Sequence, residues 1–234
     1  MRTLLLRLAA PMQSWGIASK FDTRDTAREP SKSGVIGLLA AALGRGRTEN
    51  LDDLNELYFG VRIDQPGTLL RDYHTARQEK AAASFVTRRH YLADAVFLVG
   101  LEGEENFLQE LAMAMQNPFF PLYLGRRSCP PAGQLVLGLR AKSLWQALEE
   151  EPWLASEWFK TKHTDQFKLT IVCDAKDNEE GAFLRRDIPV SFDQRHRQYK
   201  FRMVIDTADS LSIPKAECTL ELPTKHDAMA GLEG

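Results

Sequence analysis

Apolar and polar positions change period along this chain, and the changes mark its elements. Residues 3–8 form a short apolar run of strand character. It opens the chain directly, so it is expected in the middle of a sheet. Residues 9–29, with Pro11, Gly16 and many polar side chains, read as a long loop, a feature that compact domains usually reserve for function. Residues 31–43 then predict a buried helix. Ser31 or Ser33 can cap it and Gly44 can end it. Val35, Leu38, Leu39, Ala42 and Leu43 share one apolar face, while Gly34, Gly37, Ala40 and Ala41 permit close packing on a sheet. Residues 52–58 read as a short acidic helical turn, 60–63 as a strand, and 64–68, with Pro66 and Gly67, as a turn.

A longer device follows. Residues 69–76 look like an outgoing arm and 89–101 like its return and continuation, with 95–101 apolar enough for a buried strand. Residues 77–88 between them are charged and alanine-rich and have no core face. This pattern predicts a long hairpin projecting from the body and tipped by a loop. Residues 104–116 predict a second helix with Phe107, Leu108, Leu111, Ala112 and Met115 inward, and 135–140 another strand. Stripped of the hairpin, the order is strand, helix, strand, strand, helix, strand. It predicts an α+β, ferredoxin-like (RRM-like) βαββαβ domain with helices on one face of its sheet.

We place that domain at residues 1–142, with the hairpin at about 68–93 inserted, and a helical and β-rich extension at 143–234. Within the extension, 144–155 is tryptophan-rich and helical, 167–173 and 199–206 are strands, and 220–234 is a tail expected to be mobile. It is either a small subdomain or a continuation of the first sheet.

Charge changes the picture more than composition does. The net charge of −2 argues against a globally basic nucleic-acid coat. Basic residues nevertheless outnumber acids over residues 1–47, and the acids gather at 52–56, 102–105, 149–151 and 174–180. Cys129, Cys173 and Cys218 are far apart and have no zinc-ligand spacing, which suits free thiols in a reducing cytosol. No metal or other cofactor is expected. Arg7 interrupts the opening leucines, unlike a signal peptide, and the longest apolar run, 35–43, falls short of the roughly 20 residues of a membrane span. We expect a cytoplasmic protein with no membrane contact.

The sharpest chemical feature is the segment Tyr123-Leu-Gly-Arg-Arg-Ser-Cys-Pro130. Gly125 allows a tight turn and the prolines end regular structure, so Arg126 and Arg127 are held on a short bent loop. Guanidinium forks match phosphate oxygens, which points to a phosphate-rich partner. A solvated surface loop is the plain alternative.

That segment, together with Arg7-Leu-Ala-Ala-Pro-Met-Gln-Ser-Trp-Gly16, Pro30-Ser-Lys-Ser-Gly-Val-Ile-Gly-Leu-Leu39 and Leu70-Arg-Asp-Tyr-His-Thr75, resembles the CasD family of type I-E CRISPR Cascade subunits. The blocks occur in the family's order and cover most of residues 1–138; the match fades after about Leu144. The resemblance implies a repeat-associated RNA-binding protein whose long hairpin is a thumb. Such proteins hold the 5′ handle of the CRISPR guide RNA, cap the backbone of CasC subunits and help dock the large subunit CasA. Guide maturation belongs to a different subunit, so the implied role is binding and assembly. An indirect contact with target DNA stays open.

With an RNA partner implied, three segments have the ingredients for single-stranded RNA, namely charge for the backbone and rings or guanidinium planes for bases. The first carries Lys20, Arg24, Arg28 and Lys32 and runs into the amino end of the first helix, where Lys32, Ser33 and Gly34 could seat a phosphate; ordinary N-capping is the alternative. The second is the hairpin. Alternation puts Arg71, Tyr73 and Thr75 on one face and Asp72 and His74 on the other; on the return arm Arg89 and Tyr91 repeat the pairing, with Arg88 and His90 opposite. The third is the Arg126–Arg127 loop, where one arginine could bind RNA and the other brace the turn. Trp15 could stack on a base, though Pro11 and Met12 beside it favour packing. Arg185, Arg186, Arg195, His196 and Arg197 form a further basic group that a solvated strand edge explains; a contact with CasA, or with the phosphates of RNA or target DNA, is the alternative.

Two other readings compete. Metal-independent RNA cleavage needs a base and an acid, commonly histidine. His74 and His90 on opposing arms could meet, with Tyr73 or Lys80 assisting, giving an endoribonuclease that processes CRISPR repeat RNA. A projecting arm makes a water-excluded site hard to build. A pure assembly role, with RNA held by neighbours, is the other.

Overall fold

The computed structural model describes residues 2–16, 23–77, 84–163, 167–176, 179–193 and 195–206. The expected tail at 220–234 lies outside them, as do Lys20, Lys80 and Cys218. The elements run β1 (Arg2–Ala9), β2 (Met12–Gln13), β3 (Thr23–Arg24), α1 (Lys32–Ala42), α2 (Asp52–Asn55), β4 (Tyr58–Gln65), β5 (Thr68–Ala76), β6 (Phe85–Ala93), β7 (Val96–Gly103), α3 (Glu105–Gln116), β8 (Val136–Arg140), α4 (Leu144–Glu150), α5 (Glu157–His163), β9 (Thr170–Asp174), β10 (Phe183–Ser191) and β11 (Gln198–Asp206). The fold is α+β and its sheets are mostly antiparallel.

The large sheet has the order β10-β11-β9-β4-β7-β1-β8, with every neighbouring pair antiparallel. β1 lies inside it, between β7 and β8, where its apolar run can be covered on both faces. Leu4, Leu6 and Leu8 join the main core with Val35, Leu39, Leu108 and Leu111 from α1 and α3. Leu5 points the other way, into a second cluster with Leu98, Ile171, Cys173 and α4 residues Leu144, Ala147 and Leu148. The expectation of helices on one face is therefore corrected: α4 covers the opposite face. Ser31 caps α1 by accepting the Gly34 N–H at 3.2 Å, and Gly44 follows it with φ 76°.

Two glycines make room for α4. Gly60 and Gly100 face each other across β4 and β7. A Cβ at Gly100 would sit 2.5 Å from Leu144 Cδ1, and one at Gly60 2.5 Å from Cys173 Sγ. Below α4, the fully buried Arg62 pairs with the equally buried Asp64, Nε to Oδ1 at 2.7 Å and Nη2 to Oδ2 at 2.9 Å. Its remaining N–H groups donate to the carbonyls of Leu148, Glu151 and Pro152 at the end of α4. A cation there meets the negative end of the helix. Burial pushes the Asp64 carboxyl above its ordinary value, against the pull of Arg62.

A second buried charge cluster attaches the outer strands. Lys32 Nζ donates to Asp174 Oδ2 (2.9 Å) and to the Leu57 carbonyl (2.8 Å), and the Lys32 backbone N–H to Asp187 Oδ2 (2.9 Å). Arg202 bridges Asp187 (2.6 Å) and Asp174 (2.5 Å). One network thus joins α1, the start of β4, β9, β10 and β11.

β5 and β6 pair antiparallel from Thr68↔Ala93 to Ala76↔Phe85 and form a ribbon. Most of β5 is exposed on both faces. The other edge of β6 takes β2 antiparallel and β3 parallel. The segment read as a long loop therefore holds two strand pairings and a Trp15↔Ala27 bridge.

The glycine packing gives a test. Gly100→Val should lower stability by about 1–3 kcal/mol through overpacking against Leu144. Gly37→Ala, whose added Cβ meets nothing closer than Phe192 Cζ at 3.5 Å, should leave stability unchanged or raise it. Urea denaturation of both variants checks the contrast.

Candidate nucleic-acid interface

The two-arginine loop is clamped rather than free. Gly125 has φ 84°, and a Cβ there would lie 1.7 Å from the Ser14 carbonyl oxygen, so no other residue fits. Ser14 N–H donates to the Leu124 carbonyl at 3.1 Å, Leu124 N–H to Cys129 at 2.7 Å, and Cys129 N–H to Arg126 at 2.8 Å. The turn is thus closed on itself and pressed against the chain entering Trp15. Trp15 is 1% exposed and packs on Gly34 of α1, so it fills the core. Cys129 is buried too, and burial pushes its thiol pKa up, away from reactivity.

The two arginines divide the work. The Arg126 guanidinium lies 4.4 Å over the Tyr91 ring, and its Nη2 donates to the Arg24 carbonyl at 2.9 Å. Arg127 is exposed, with no hydrogen bond or ion pair among the described residues. Arg24 itself comes from β3, which pairs with β6 at Arg88 and Arg89. Beside it His90 Nδ1 sits 2.8 Å from Asp25 Oδ1, a second tie between these segments.

Together Arg24, Arg89, Tyr91, Tyr123, Gly125, Arg126, Arg127 and Ser128 line a cleft of about 390 Å³. Four of the eight are arginines and none is acidic. Arg89 Nε and Arg126 Nη1 are buried and lack a partner among the described residues. Buried donors of this kind call for an acceptor, and a ligand oxygen could supply it. Burial acts to raise the Tyr91 phenol, but hydrogen bonding to Arg126, Ser128 and Arg89 and the Arg126 charge outweigh it and hold the phenol below its ordinary value. The cleft can therefore hold an anion, while Tyr91, 5% exposed beneath Arg126, positions that guanidinium rather than stacking on a base itself.

Of the residues singled out in the sequence, Arg24, Arg89, Tyr91, Arg126 and Arg127 converge here. Lys20 lies outside the described residues. Arg28 is exposed but does not line the cleft. Lys32 requires a correction. It is 5% exposed, its ammonium is held by Asp174, and the anion at the α1 N-terminus is the protein's own Asp187 carboxylate. That terminus is not an open phosphate seat. Ser33 Oγ lies 3.3 Å from the capping Ser31 Oγ.

Arg71, Tyr73 and His74 sit elsewhere on the ribbon. Tyr73 is 64% exposed, and Arg71 and His74 are exposed. The register puts Arg71 opposite His90 and Tyr73 opposite Arg88, while Leu70 faces Tyr91 and Asp72 faces Arg89. Directly opposed residues share a face. The two arginine–tyrosine pairs therefore lie on opposite faces of the hairpin. The histidines do not meet either: His74 opposes Thr87, on the face away from His90, and its ring neighbours Asp72 at 3.9 Å. In the outer basic group, Arg185 pairs with Glu29 at 2.7 Å and Arg186 lies over Phe201 at 5.9 Å. Tyr123 and Ser128 were not singled out as site residues, although both flank Gly-Arg-Arg in the quoted segment.

Residues 3–205 match the family model described as CRISPR-associated protein (Cas_Cas5). The chain belongs to the Cas5 family. This Cas5 protein is 42% identical over 156 residues to the CRISPR system Cascade subunit CasD of Escherichia coli (strain K12), covering 58% of this chain and 70% of that one. It resembles a chain of a solved CRISPR RNA-guided surveillance complex at 35% identity and TM-score 0.74, over 89% of this chain and 90% of the other. A crystal structure of a Cas protein matches at 39% identity and TM-score 0.70, over 91% and 99%.

Lys32 and Arg127 should separate stability from binding. Lys32→Ala leaves Asp174 short of a partner in a buried site and should cost about 3 kcal/mol. Arg127→Ala should leave the melting curve within about 0.5 kcal/mol of the parent and weaken affinity for a single-stranded repeat RNA. Calorimetry and filter binding on the same preparations check both.

Proposed function

We propose that this Cas5 protein is the CasD-type subunit of a type I-E CRISPR Cascade surveillance complex, and that it holds the 5′ handle of the guide RNA in the arginine–tyrosine cleft. The observation that carries the reading is the convergence of Arg24, Arg89, Tyr91, Arg126 and Arg127, from three separate segments, around one cleft without a carboxylate. Likeness to CasD and to a chain of an RNA-guided surveillance complex supplies the context. Arg127 and Arg24 engage phosphates at the mouth. Arg126 is held by its stack on Tyr91, and with Arg89 it offers buried donors to whatever enters.

The strand order β4-β7-β1-β8, all antiparallel, with α1 and α3 on one face, supports a ferredoxin-like core at residues 1–142. On this reading the β5–β6 ribbon is its thumb. Arg71, Tyr73 and His74, on exposed parts of the ribbon, then serve RNA or the neighbouring CasC subunit rather than the cleft. The described residues beyond 143 extend the same sheet through β9, β10 and β11. The protein caps the CasC backbone, helps dock CasA and works in the cytoplasm. No helix among the described residues is long and apolar enough to cross a membrane. We assign it binding and assembly rather than RNA cleavage, because His74 and His90 lie on opposite faces of the ribbon.

Gel-shift titration with labelled CRISPR repeat RNA in EDTA tests this. Binding without cleavage is expected, falling as salt rises. In Arg126→Glu/Arg127→Glu the log–log salt slope should shrink by about 1–2, at about 0.7 per lost phosphate contact on a single strand. A discrete cut in EDTA that His74→Ala or His90→Ala abolishes would overturn the assignment in favour of a nuclease. Unchanged RNA retention by the double variant would favour pure assembly.

A further inference from the structure

Besides the cleft, one surface of the sheet is built unlike a solvent-facing one. α4 packs on β1, β4 and β7, and its cluster takes Ile171 and Cys173 from β9. The same face continues onto the two outer strands. Ile205 pairs with Cys173 and leans on that cluster. Beyond it Leu184 pairs with Met203 and Arg186 with Phe201. No element covers these side chains among the described residues: Leu184 is 65% exposed, Phe201 60% and Met203 39%. On the opposite face of the same strands Arg202 and Asp187 are buried against α1, and Phe183 at the far edge is 38% exposed. Over these outer strands the sheet is thus anchored to helix on one face, while on the other α4 covers only part of its width.

Adjacent large apolar side chains on a flat face mark a contact surface. The charges around it say what kind. Arg186 lies within the row, over Phe201. Arg195, His196 and Arg197 are exposed at the turn joining β10 to β11. The other two arginines of these strands are already neutralised inside, Arg185 by Glu29 and Arg202 by Asp174 and Asp187. A second copy placed across a two-fold would set these cations against themselves. An RNA strand would find one ring, Phe201, already under Arg186, a single cation in the row, and otherwise Leu184 and Met203, which offer no hydrogen bonds.

We propose that the β10–β11 face docks a helix of another protein subunit, lying beside α4, whose apolar stripe is bordered by carboxylates. The helix would complete the layer that α4 begins and set acidic side chains against Arg186 and the Arg195–Arg197 turn. The proposal rests on the reading that the chain works within a multi-subunit complex. It is independent of where RNA binds.

The test uses the photo-cross-linking residue benzoylphenylalanine in place of Phe201, in the particle reconstituted from this chain, guide RNA and the other subunits of its complex. The expected result is a cross-link to another protein subunit, at an apolar segment flanked by Asp or Glu. Arg186→Glu should reduce its yield by about tenfold, since like charges would then meet. Guide RNA retention should be unchanged, which separates this outcome from failure of the RNA-binding assignment. A cross-link to RNA, to a second copy or to residues 207–234 of the same chain would overturn the proposal. So would its absence from an assembled particle, or an Arg186→Glu yield equal to the parent's.

Discussion

The buried network of Lys32, Asp174, Arg202 and Asp187 is the interaction on which the rest of the structure depends. Two cations and two carboxylates leave water together, which is tolerable only because each finds its counter-ion and further hydrogen-bond partners. Asp174 accepts from Lys32, Arg202 and the Phe59 N–H, and Asp187 from Arg202 and the Lys32 N–H. These contacts lock three outer strands to the first helix and to the start of β4. They also decide where function can lie. With Asp187 against the first turn of α1, the positive end of that helix is already matched, and an incoming phosphate must find its donors elsewhere.

The proposed seat lies where a different constraint operates. Gly125 lets the turn press onto Ser14 so closely that any side chain would collide with the carbonyl. That contact sets Arg126 above Tyr91 and leaves Arg127 outward. The hairpin strand β6 supplies Arg89 and Tyr91, and the 23–24 segment lies along it with Arg24. A charged cleft is thereby assembled from parts that are each weakly informative: a turn, one edge of a ribbon and a strand of two residues. Arg126 is held by its stack on Tyr91 and a bond to the Arg24 carbonyl rather than by a counter-ion, so its charge stays available to a ligand.

Much of this was legible in the sequence where local physics rules. The apolar run at 3–8, the capped helix after Ser31, the amphipathic helix containing Leu108, Leu111 and Met115, and the paired arms of the ribbon all follow from period and capping. The bent Arg126–Arg127 loop follows from its glycine and prolines. What local pattern could not carry was partner choice. Lys32 looks like a surface cation beside a helix N-terminus, and only Asp174 and Asp187, far along the chain, make it internal. The opposite facing of Arg71–Tyr73 and Arg89–Tyr91 depends on hairpin register, which alternation within either arm leaves undetermined. β10, with Pro189 in it, and the two-residue strands at 12–13 and 23–24 are formed by pairing rather than by propensity. Gly60 and Gly100 read in the sequence only as strand residues, although a mid-strand glycine marks close approach, here of α4.

The most direct test of the central claim, that the arginine–tyrosine cleft holds the guide handle, is to map zero-length ultraviolet cross-links between repeat RNA carrying 4-thiouridine and this protein by mass spectrometry of the cross-linked peptides. The account predicts cross-links within residues 123–128, lost when Arg126 and Arg127 are reversed in charge. Cross-links confined to the amino end of α1, or none on this chain while neighbouring subunits label strongly, would contradict it.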